Sequence, residues 1–126
     1  MDRAERESAY DLFQRGSRLL ADHHPAAAAV LLERCLALEP GKASILEALG
    51  RAYFNSGQHE PARATFERVL ELDPSAPYAH YALFGLGLSL ARLGEVAAGR
   101  RHLRMAVFLK PENEDYRRAL RRIDAA

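Results

Sequence analysis

Apolar residues in this chain recur at steps of three and four, and no unit sustains the every-second-residue alternation of a strand. Between residues 43 and 76 the pattern resolves into two stripes: Ile45, Leu46, Leu49, Ala52 and Tyr53, then Ala62, Phe66, Val69 and Leu70, with Gly57 between them. Each stripe fits one side of a helix, so the segment predicts a helical hairpin. The same layout returns on either side of it. Leu38-Glu39-Pro40, Leu72-Asp73-Pro74 and Leu109-Lys110-Pro111 stand 34 and 37 residues apart. Counting back from each proline by one offset gives Leu12, Leu46 and Leu83, and then Gly16, Gly50 and Gly87. Further along come Leu19, Tyr53 and Leu90, the small residues Ala28, Ala62 and Gly99, and finally Leu32, Phe66 and Leu103. These recurring positions define units at 9–42, 43–76 and 77–113, with 114–126 left over.

Gly57 and Gly94 mark the turn inside the second and third units, where a residue with positive φ ends a helix without a Cβ penalty. The first unit has His23-His24-Pro25 there, which predicts a differently built turn with Pro25 opening the second helix. Gly16, Gly50 and Gly87 fall in mid-helix, where glycine costs about 0.8 to 1 kcal/mol relative to alanine. Opposite Ala28, Ala62 and Gly99 they would let paired backbones approach. The three additional residues of the third unit lie between Pro74 and Leu83 and predict a longer first helix, 77–93, capped by Ser75 with Pro77 in its first turn. Asn113 caps a closing helix whose Tyr116, Leu120 and Ile123 form a strip able to cover the second helix of unit three. Residues 3–8 extend the first helix.

The 34-residue spacing, with Leu49-Gly50, Tyr53, Ala62, Phe66 and Pro74 in one unit, resembles the tetratricopeptide repeat. Arg15 in place of the leucine before Gly16, Leu19 and Leu90 in place of the tyrosine, and the missing tryptophan depart from the family pattern. The resemblance covers residues 9–113. It implies an all-α, right-handed α-solenoid of three hairpins closed by a C-terminal capping helix, forming a single domain over 1–126. It also implies a superhelix whose first helices line a concave groove that receives a peptide or a partner helix. Family members that bind chaperones clamp a terminal carboxylate with Lys and Asn on the first repeat, Asn on the second, and Lys and Arg on the third. The matching positions here hold Phe13, Ser17, Ala48, Tyr81 and Gly85, or Tyr78 and Ala82 for the last two if the insertion is set aside. The clamp is absent.

At about 100° per residue, helix 77–93 places Leu83, Leu86, Leu90 and Leu93 on one face and Tyr81, Phe84, Leu88 and Ala91 on another. One face serves the solenoid core. The second calls for a bound apolar segment, a dimer interface, or burial beneath the chain's own terminus. The same offsets put Tyr10, Phe13, Ser17 and Leu20, and Ser44, Glu47, Arg51 and Phe54, into the groove. Glu47 and Arg51, four residues apart, can pair with each other or face a partner.

Charge changes this picture little. A net charge of +1 supplies no global attraction to nucleic acid or anionic membrane. Locally, Arg100, Arg101, Arg104, Lys110, Arg117, Arg118, Arg121 and Arg122 outnumber Glu112, Glu114, Asp115 and Asp124, so nucleic acid or an acidic partner is a minor alternative. No apolar run approaches the roughly 20 residues of a membrane span. Cys35, alone, aligns with Val69 and Ala106 and reads as core, and no signal-like segment begins the chain. His23-His24 point apart on a helix and have no further ligand at metal spacing. The Gly85–Ser89 stretch fails the spacing tests of phosphate-binding and nucleophile motifs. The expectation is a cytoplasmic, non-catalytic scaffold or adaptor without metal or cofactor, binding an apolar helix or peptide; the alternative is a homodimer through helix 77–93. Arginine-rich composition with only Lys42 and Lys110 as lysines suggests a GC-rich, bacterial genome.

Overall fold

The computed structural model describes residues 3–125, with side chains from residue 8 onward. Seven helices follow one another within that range: α1 (Arg3–Ala21), α2 (Pro25–Leu38), α3 (Ala43–Asn55), α4 (His59–Leu72), α5 (Ala79–Arg92), α6 (Val96–Leu109) and α7 (Glu114–Ala125). α1 with α2, α3 with α4 and α5 with α6 form hairpins, each second helix also packs on the next first helix, and α7 closes the stack against α6 and α5.

The second helices stop where the repeated prolines dictate. Glu39, Asp73 and Lys110 have φ values of −135°, −164° and −136°, well outside the helical range. The ring of a following proline disfavours helical backbone in the residue before it. Inside the hairpins, Gly57 and Gly94 take φ of +83° and +89°, as expected. The first turn departs from expectation: His23 adopts φ of +64° and builds the same turn without glycine. His24 N donates to Leu19 O, Gln58 N to Tyr53 O and Glu95 N to Leu90 O, all at 2.8 to 2.9 Å, closing three equivalent helix ends.

The longer first helix expected at 77–93 does not form. α5 begins at Ala79 and has 14 residues, much like its counterpart α3 with 13. The additional residues widen the loop instead. Asp73 Oδ1 accepts hydrogen bonds from Ser75 N at 3.0 Å and Ser75 Oγ at 2.8 Å, so Ser75 belongs to a turn around Asp73 and is not a helix cap. Pro77 disfavours helix at Ala76. Asn113 does cap α7, accepting from Tyr116 N at 3.1 Å.

The core crosses the hairpin boundaries. Leu20, Ala28, Ala29 and Leu32 pack with Ala48, Leu49 and Ala52 of α3. Leu46, Ala62, Phe66 and Val69 pack in turn with Ala82, Leu86 and Leu90 of α5. No hairpin buries its apolar surface alone, so neighbours stabilise one another. The repeated glycines admit the large residue of the partner helix: a Cβ on Gly16 would meet Leu32, one on Gly50 would meet Phe66, and one on Gly87 would meet Leu103. Gly85 adds a contact that the repeat pattern does not show, because its missing Cβ leaves room on α5 for the same tip of the Phe66 ring. Phe66, 2% exposed, therefore bridges α3 and α5. Leu20, expected in the groove, is 8% exposed and belongs to the core. Cys35 is buried, its Sγ donating to Ala9 O at 3.3 Å, and burial pushes its thiol pKa up.

Candidate functional site

The first helices α1, α3 and α5 place the groove residues along a chain of three hollows. Tyr10 and Phe13 meet Ser44 in the first. Ser44, Glu47 and Arg51 continue into the second beside Tyr78 and Tyr81. Glu47, Arg51 and Tyr81 then pass into a third, of about 290 Å³, with Phe54, Phe84 and Leu88. Tyr10 is 69% exposed and Tyr81 52%, so each presents most of a ring to a visitor. Ser17 is half-buried and lines none of the three. Ala91 faces a separate hollow near Val96 and Ile123.

Glu47 and Arg51 pair directly, Arg51 Nε to Glu47 Oε1 at 3.0 Å. Partial burial raises the Glu47 carboxyl pKa, and Arg51 opposes the shift. The Arg92 guanidinium lies over the Phe54 ring, 5.6 Å from its centroid, where the ring's negative face attracts a cation.

Part of the second apolar face of α5 is covered by α7. Tyr116, 2% exposed, stacks on Phe84 with ring centroids 4.5 Å apart, and its hydroxyl shares a 2.8 Å hydrogen bond with His80 Nδ1. Burial pushes the Tyr116 phenol up to about 12, with Tyr81, Glu47 and Asp115 adding to the shift. Burial lowers the His80 pKa, and Lys110 lowers it further. Asn113, Asp115 and Tyr116 thus form the end wall of the third hollow. Reading the chain one helix at a time does not find this wall. Tyr116 has the spacing of a packing residue, and its reach across to α5 depends on how α7 docks.

The C-terminal arginines are largely occupied. Arg117 and Arg121 both pair with Glu114, Arg118 pairs with Asp115 at 3.5 Å, and Arg100 pairs with Asp124 at 2.9 Å. Arg122 lines the hollow near Ile123. Among the described residues no group of three or more His, Cys, Asp or Glu side chains could hold a metal ion, and no helix is long and apolar enough to cross a membrane.

Known proteins with this arrangement are found by both sequence and shape. The chain is 30% identical over 107 residues to the tetratricopeptide repeat and J domain-containing co-chaperone DNJ1 of Cryptococcus neoformans, a match covering 85% of this chain and 20% of that protein. It therefore spans about a fifth of its relative's length. In shape it resembles the Arabidopsis OM64 TPR domain, with TM-score 0.85, 15% identity and coverage of 96% of this chain and 98% of that one. The first TPR of Spaghetti (RPAP3), bound to an HSP90 peptide, superposes with TM-score 0.83 at 17% identity, covering 94% of this chain and 92% of the other. The family description "Tetratricopeptide repeat" matches residues 19–83, more than half of the chain. The repeat spacing, the three stacked hairpins and this match lead to one assignment: the chain belongs to the tetratricopeptide repeat family.

Proposed function

We propose that this protein is a non-catalytic interaction module that takes an apolar helix or peptide from another protein in its concave groove. The observation that carries the reading is Tyr81, half exposed on the common wall of two hollows and flanked by Phe84, Leu88 and the mutually paired Glu47 and Arg51. Aromatic side chains in such settings act as rigid anchors, while a charge pair satisfied internally leaves no strong demand for a charged ligand. The Spaghetti (RPAP3) domain holds an HSP90 peptide on a similar scaffold. Here the clamp positions carry Phe13, Ser17, Ala48, Tyr81 and Gly85, and Ala48 and Gly85 are buried, so we infer a ligand chosen by apolar side chains and not by a terminal carboxylate. The pairing of Arg117, Arg118 and Arg121 speaks against phosphate docking at the C-terminal helix.

The test is selection from a displayed peptide library on the wild-type protein, repeated on Tyr10→Ala and Tyr81→Arg. Tyr10 is largely and Tyr81 half exposed, so the variants should retain the fold, which far-UV circular dichroism checks. Apolar sequences that disappear on Tyr81→Arg and bind equally well when amidated support the reading. Sequences indifferent to both changes, or dependent on a free C-terminal carboxylate, refute it. Light scattering addresses the homodimer: a dimer dispersed by Tyr81→Arg would assign the groove to self-association.

A further inference from the structure

The outer face of the third hairpin differs in chemistry from the other two. Where the first two second helices carry Arg34 with Ala37, and Arg68 with Glu71, the equivalent positions of α6 are Met105 and Phe108. Phe108 is 84% exposed and Met105 50%, with Leu109 also exposed beside them. These side chains border a hollow of about 650 Å³ whose apolar walls include Leu70, Pro74 and Leu83. Its remaining contributors are His102 and Arg104, and no carboxylate lines it. Arg104 and Arg101 precede Phe108 by four and seven residues, which places all three along one stripe of α6. Neither arginine has an ion-pair partner among the described residues, whereas Arg100, one position away, is held by Asp124. The hollow shares no lining residue with the concave groove.

We propose that this face is a second docking site, and that its occupant is an acidic amphipathic helix from another protein. The helix inserts apolar side chains into the hollow, packs against Phe108 and Met105, and sets its carboxylates over Arg101 and Arg104. Charge complementarity selects this occupant. A second copy whose α6 ran parallel to this one would bring arginines against arginines, which repels, and light scattering tests the antiparallel arrangement. A bilayer surface offers anionic charge, but a flat surface does not fill a hollow whose Leu83 wall is only 5% exposed.

The experiment uses the full chain and a fluorescent synthetic helix with leucines at i, i+4 and i+7 flanked by glutamates, read by anisotropy. Saturable, salt-weakened binding is expected, falling roughly tenfold or more with Phe108→Asp and with Arg104→Glu. It should be unchanged by Tyr81→Arg, which keeps this site separable from the groove. A lysine-for-glutamate version of the helix should bind the wild type poorly and recover on Arg101→Glu combined with Arg104→Glu. All these positions are exposed, so circular dichroism should show the variants folded like the wild type. The proposal is overturned by the absence of saturable binding up to on the order of 1 mM, or by equal loss with Tyr81→Arg. It is also overturned if Phe108→Asp abolishes sedimentation with phosphatidylserine vesicles but leaves peptide binding intact, or if it disperses a dimer seen by light scattering.

Discussion

Replacing Gly85 with alanine puts a methyl group 2.4 to 2.6 Å from three atoms of the Phe66 ring. Carbon atoms prefer about 3.5 to 4.0 Å, so the overlap is about 1 Å against a side chain that is 2% exposed. The ring tip is already seated against a second helix, since a Cβ on Gly50 of α3 would likewise lie 2.7 Å from it, so little room is left for it to shift. α4 and α5 must separate or the ring must leave its rotamer, and overpacking of this kind costs about 1 to 3 kcal/mol. Alanine returns about 1 kcal/mol as the better helix former. The net expectation is a loss of up to about 2 kcal/mol, measured by urea unfolding with far-UV circular dichroism. Phe66→Leu alone should cost about 1 to 2 kcal/mol. Combined with Gly85→Ala, it should cost less than the sum of the two changes by about 1 kcal/mol or more, since the shorter side chain leaves room for the methyl group. Gly41→Ala is the control: no atom lies within 4 Å of its added Cβ, and its effect should stay within about 0.5 kcal/mol. If Gly85→Ala exceeded the parent in stability, or the double variant were additive, the bridging role of Phe66 between hairpins would be wrong.

His23→Gly should stabilise the protein by about 0.5 to 1 kcal/mol in the same unfolding assay, because glycine relieves the φ of +64° at less cost than the histidine pays. His24→Gly, at φ of −115°, should destabilise it. Tyr116→Phe removes the hydroxyl bonded to His80 Nδ1 and should cost about 1 kcal/mol. Since the folded-state pKa of His80 is lowered from 6.5, the unfolded chain binds its proton more readily. Stability should therefore be full above pH 6.5 and decline as the pH falls through that value toward the folded pKa, a slope that His80→Gln should flatten. Cys35, buried with a raised pKa, should react with a thiol reagent at the rate of unfolding, and a fast native-state reaction would contradict its place in the core.

The repeat was legible in the sequence because its signals are local: proline ends a helix wherever it stands, and Gly57 and Gly94 permit positive φ without help from neighbours. Misreadings arose where one local preference competes with another. The Asp73 turn and the residue before Pro77 prevailed over the helix start expected at 77, capped by Ser75. His23 followed the turn that the flanking helices impose, since histidine tolerates left-handed backbone better than most residues. Leu20 differs in angle only modestly from its groove neighbours, and the docking of α3 settled it in the core. Gly85 against Phe66, Tyr116 against Phe84, and the hollow beneath Phe108 are contacts between units. A pattern that treats each unit as a copy of the others carries no information about them.

The stacking of Tyr116 on Phe84 makes the end wall of the groove a docked helix and not a fixed part of a hairpin. Occupancy of the third hollow and attachment of α7 are therefore thermodynamically linked. A molecule seated against Tyr116 favours the docked helix by RT ln(1 + [L]/Kd), and weakening that docking lowers affinity by the same coupling. Hydrogen exchange would read this reciprocity in the α7 amides, which should gain protection from a ligand of the third hollow and none from a ligand confined to the hollow around Tyr10.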